Sequence, residues 1–78
     1  MEISIVREDK GALRRTIPQV EPGTEVIYAI GAYCHGPHKE DAYALYMKGD
    51  VDLYQRRSVA KGVFNYIARK RKTRRKDV

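Results

Sequence analysis

A small α+β fold is predicted for this chain: one domain with an N-terminal β-hairpin, two short helices and a C-terminal β-hairpin that ends in a basic tail. Three observations predict it. Residues 51–57 and 63–70 alternate in the strand sense around a glycine-bearing turn. Residues 38–48 carry apolar side chains at helical spacing between a proline and a glycine. The charge is confined to one end, because residues 1–68 hold equal numbers of acidic and basic side chains, and the whole +6 comes from residues 69–78.

The elements follow in order. Residues 2–7, EISIVR, place Ile3 and Ile5 on one face and Glu2 and Ser4 on the other, and the EDKG turn leads into residues 12–17 as a second, weaker strand that stops at Pro18. Residues 24–34 follow the Glu21-Pro22-Gly23 loop with Thr24 as an N-cap. Val26, Ala29, Ile30 and Tyr33 fall at i, i+3, i+4 and i+7, the spacing of one helical face. The β-branched and aromatic residue types favour a strand across 25–30 instead, and the stop signal His35-Gly36-Pro37 tips the reading to helix.

Helix 38–48 begins after Pro37, has Glu40 and Asp41 at the positive end of its dipole, and ends at Gly49. Ala42, Leu45 and Tyr46 form its apolar stripe. The closing hairpin pairs residues 51–57 with 63–70 through the SVAKG turn, and its last strand runs straight into the arm, giving a compact body at 1–68 and a tail at 69–78.

The order helix, tight connection, helix, Gly, hairpin resembles the second half of a winged helix-turn-helix domain over residues 24–70. The residues carrying the likeness are Ala29, the Gly36-Pro37 break, Ala42, Leu45, Gly49 and Val51. The resemblance implies that helix 38–48 enters a major groove and that the 51–70 hairpin acts as a wing.

Catalytic and metal readings have little to stand on. Cys34-His35-x-x-His38 is the sole cluster of soft ligands, one Cys and two His, which is short of a zinc set. A thiol–histidine pair adjacent in sequence lacks any accompanying oxyanion-hole signature. Gly31 and Gly36 copy phosphate-loop spacing, but Pro37-His38 stands where Lys-Ser/Thr is needed. The carboxylate pairs Glu40/Asp41 and Asp50/Asp52 are explained by the helix dipole and by ion pairing at a strand start. No cofactor and no enzymatic activity are expected. Cys34 stands alone, the N-terminus lacks the apolar core of a signal peptide, and no stretch is long enough to span a membrane. A reducing, cytoplasmic setting follows as the expectation.

The expected partner is nucleic acid, DNA ahead of RNA, because a concentrated run of cations matches a phosphate backbone. The expected contacts are His38, Lys39 and Tyr43 on the helix, Arg56, Arg57 and Lys61 at the hairpin, and Arg69, Lys70, Arg71, Lys72, Arg74, Arg75 and Lys76 in the arm. Of the six tyrosines, most are expected to wall a thin core, with Tyr43 and Tyr54 free of the apolar faces. A second expectation is a regulator or inhibitor, in the style of small virus-encoded modulators. It would dock its neutral body on a larger nucleic-acid enzyme such as an RNA polymerase.

Overall fold

A computed structural model of the chain describes residues 2–72. The fold is α+β, four strands in one mixed sheet and two helices. Strands β1 (Glu2–Ser4), β2 (Glu25–Gly31), β3 (Val51–Arg57) and β4 (Phe64–Lys70) lie in the order β1-β2-β4-β3. β1 runs parallel to β2, and β4 is antiparallel to both of its neighbours, so β4 fills the gap between the parallel strands β2 and β3. Helix α1 (Ala12–Thr16), continued by a 3-10 turn at Ile17–Gln19, connects β1 to β2. Helix α2 (Lys39–Lys48) connects β2 to β3.

Both helices cover the same face of the sheet. The core between them holds Ala12, Leu13 and Ile17 from the first connection, Ala42 and Leu45 from α2, and Val26, Val51 and Ala68 from the strands. This two-layer arrangement lets a short chain bury one apolar surface.

Three expectations change. Residues 12–17 are helical, so the N-terminal hairpin is absent and β1 pairs with β2 instead. The spacing of four between Leu13 and Ile17 fits a strand and a helix equally. Ala12 decides it, because it is buried beside Leu13, and adjacent inward positions do not suit an alternating strand with one face outward.

Residues 25–31 form a strand, not the expected helix. The helical spacing has a physical source in a β-bulge. Val26 pairs with Ala68 and Ile27 with Ile67, but Ala29, not Tyr28, takes the next register position, opposite Tyr66. The extra residue brings Val26 and Ala29 to one face three positions apart, mimicking a helical repeat. The later members of that repeat fail, since Ile30 and Tyr33 are exposed.

The elements matched to a winged helix-turn-helix therefore fall differently. Its first helix is the strand β2, and the 51–70 hairpin is half of the main sheet, with β4 at its interior. β4 continues through Lys70, whose backbone N–H bonds to the Thr24 carbonyl at 3.0 Å, and the Arg71 N–H reaches the Asp50 carbonyl at 3.0 Å. No helix among the described residues is long and apolar enough to cross a membrane.

Candidate nucleic-acid interface

The C-terminal end of β4 gathers charge from three separate parts of the chain. α1 contributes Arg14, the last turn of α2 contributes Lys48, and the strand end contributes Lys70, Arg71 and Lys72. Together they line a groove of about 550 Å³ whose apolar lining is Ile17, Pro18, Pro22, Ala44 and Leu45, with Ile17 and Leu45 buried. A second hollow of about 440 Å³ lies beside it, lined by Gly23, Asp52, Arg69 and the same Lys70, Arg71 and Lys72. Residues 70–72, the last of the described residues, thus form a cationic wall between two hollows.

The charges there are compensated to different degrees. Arg14 Nε donates to Asp41 Oδ1 at 2.7 Å, which ties α1 to α2 and pairs a nearly buried carboxylate. Lys48 Nζ lies 3.6 Å from Asp50. Arg71 and Arg69 both turn back to Asp52, at 2.8 and 3.7 Å. Lys70 Nζ donates to the Val20 carbonyl at 2.8 Å and more weakly to Pro18 at 3.5 Å, so its position is fixed, and no carboxylate among the described residues pairs with it. Lys72 is exposed. Residues 69–71 are therefore partly folded onto the body, and Lys70 and Lys72 have no carboxylate partner among the described residues.

The expected contact residues do not form one surface. His38 is fully buried, a correction to its expected role as a base reader. It sits at the N-cap of α2, and positions 38, 41, 42 and 45 share the inward face of the helix, so the ring is carried under the surface. Neither ring nitrogen has a hydrogen-bond partner among the described residues. Lys39 and Tyr43 are exposed on α2, with Tyr43 60% accessible.

Arg57 and Lys61 are exposed at the hairpin tip. Arg57 pairs with Phe64, while Val51 pairs with Lys70 at the other end of the strand. Six residue steps separate the two ends, about 20 Å at roughly 3.4 Å per residue. Arg74, Arg75 and Lys76 lie outside the described residues.

Arg56 is committed elsewhere. Its guanidinium donates to Glu2 at 3.0 Å and to Glu25 at 2.9 Å, and lies 5.8 Å from the centre of the Tyr54 ring. Arg69 approaches the same ring at 5.9 Å, and the Tyr54 hydroxyl donates to Glu25. By register these side chains share the sheet face opposite the helices with Ile27 and Ile67, which are buried although no helix covers them. The charged and aromatic side chains act as a roof over two isoleucines.

Arg14 and Lys48 were not among the expected contacts. Their contribution depends on α1 being helical and packed against α2, which no local pattern announces. Around Cys34 the arrangement is structural. The half-buried thiol hydrogen-bonds with Tyr28, whose pKa is pushed far above the ordinary value of 10.0, first by burial, then by Cys34 and by neighbouring Tyr66. His35 packs against Tyr33 with ring centres 5.2 Å apart. No group of three or more His, Cys, Asp or Glu side chains among the described residues is placed to hold a metal ion.

Comparison with protein-family models, with curated proteins and with solved structures finds no match to the chain. The functional reading therefore rests on its own residues.

Proposed function

We propose that this protein binds nucleic acid through the phosphate backbone, using the arm and the cationic wall at its base, with little reading of base sequence. The observation that carries this reading is the convergence of Arg14, Lys48, Lys70, Arg71 and Lys72 on one groove, at the point where a charge-balanced body passes into Arg74, Arg75 and Lys76. Ammonium and guanidinium groups near phosphates release condensed counterions, a contribution to affinity that is independent of sequence. Sequence discrimination has weak support, because His38 is buried and Arg56 is held by two carboxylates. The phosphate backbone it would contact is common to DNA and RNA.

The test compares the two cationic ends. In fluorescence anisotropy titrations, Lys70→Gln with Lys72→Gln lowers affinity for a random duplex about tenfold or more at moderate salt, whereas Arg57→Gln with Lys61→Gln changes it less than about threefold. Equal losses at both ends would overturn the assignment.

A second reading draws on Tyr43 and Met47, exposed one turn apart on the outer face of α2. Such side chains suit a protein contact, so the body would dock on a larger nucleic-acid-processing enzyme while the arm lies along its substrate. Under that reading, both charge variants leave the free protein's weak duplex binding nearly alike, and the Tyr43→Ala variant loses the docked complex.

A further inference from the structure

We propose that the groove at the base of the arm holds one unpaired nucleotide, so the protein prefers single strands to duplex. This rests on the reading of that end as a nucleic-acid interface.

The groove combines two surfaces that a duplex backbone does not need together. Its floor is apolar, the buried Ile17 and Leu45, flanked by half-buried Ala44 and by Pro18 and Pro22 at the exposed edge, while half-buried Lys70 and exposed Lys72 add charge to the lining. A phosphate backbone alone is served by those cations. The floor has use only for a group with apolar faces, and in a duplex the base faces are stacked against one another and withheld. In a single strand the bases can splay out and lie on protein surface. The volume, about 550 Å³, lies in the range of small-ligand sites, roughly 300–1,000 Å³.

The lining is built from rigid parts. Pro18 is fixed in the 3-10 turn, and Ala44 is carried on α2. Lys70 is aimed by its bonds to the Val20 and Pro18 carbonyls, so its charge is held in the lining, with no carboxylate among the described residues paired to it. Asp50 also lines the groove and lies 3.6 Å from Lys48. An acidic peptide would meet the same cations. Its carboxylate side chains offer no planar apolar face to the groove, and Asp50 would repel them.

Anisotropy with the full chain tests this, using labelled oligothymidylate and a duplex of equal phosphate count at one salt concentration. The protein binds the single strand about tenfold more tightly, the magnitude of one good base contact. Ala44→Leu fills the groove with an aliphatic chain that cannot stack, and Pro22→Glu places a carboxylate at its edge. Each brings the ratio of the two affinities towards one.

A ratio near one in the unmodified protein, with normal salt-dependent duplex binding, overturns the single-strand preference and leaves the backbone reading standing. The same holds if both variants keep the tenfold ratio. Displacement of the oligonucleotide by polyglutamate of equal charge overturns it in favour of an acidic peptide. Failure to bind either nucleic acid overturns this inference and the reading beneath it together.

Discussion

His38 and Tyr28 are the two buried groups whose chemistry is most exposed to test. The buried His38 imidazole finds no hydrogen-bond partner among the described residues, and a buried polar group left without one costs about 1–3 kcal/mol. Replacing it by an apolar side chain of similar size removes that cost. His38→Leu is therefore expected to keep or raise the urea midpoint and to leave nucleic-acid affinity unchanged, and a loss of affinity would return His38 to the interface.

Tyr28 makes a prediction about alkaline pH. Below its ordinary value of 10.0 both folded and unfolded chains hold the phenolic proton, and the residue has no influence on pH dependence. Above it the unfolded chain releases a proton that the folded chain keeps, so stability falls as pH rises. Absorbance titration should show one late tyrosine step, lost in Tyr28→Phe, that coincides with unfolding.

At the scale of elements, the parts written in local chemistry are the ones the sequence disclosed. Helix α2 follows from Pro37, the acidic first turn and Gly49, which takes the left-handed conformation at the C-cap, φ 85°. The β3–β4 hairpin follows from its alternation and its glycine turn. What escaped was decided by tertiary contact. β2 hid behind a bulge that copied helical spacing, and α1 hid because Leu13 and Ile17 satisfy either period. The site was half legible for the same reason: Lys70, Arg71 and Lys72 are contiguous, while Arg14 and Lys48 join them only through the packing of α1 on α2.

The open sheet face supplies the test at this scale. Because Arg56 roofs Ile27 and Ile67 and pairs with Glu2 and Glu25, Arg56→Ala should cost about 1 kcal/mol of stability. It should change nucleic-acid affinity less than about twofold. A large affinity loss with unchanged stability would make that face part of the interface.

Over the whole molecule the decisive property is the concentration of net charge in residues 69–78 of the sequence. The strands hold their own balance, with Glu2, Glu25 and Asp52 answering Arg56, Arg69 and Arg71 across the sheet. That bookkeeping lowers the number of cations available to a partner. If all seven arm cations engaged, the slope of log K against log salt on duplex would be about −6. With Arg69 and Arg71 facing Asp52, about five remain, Lys70, Lys72, Arg74, Arg75 and Lys76, and the slope becomes about −4 to −5.

The most direct measurement is that slope, taken for the full chain and for a full-length variant with Gln at 72, 74, 75 and 76. The account predicts about −4 to −5 for the first and about −1 for the second. A slope near zero in the unmodified protein, or equal slopes in both, would contradict it.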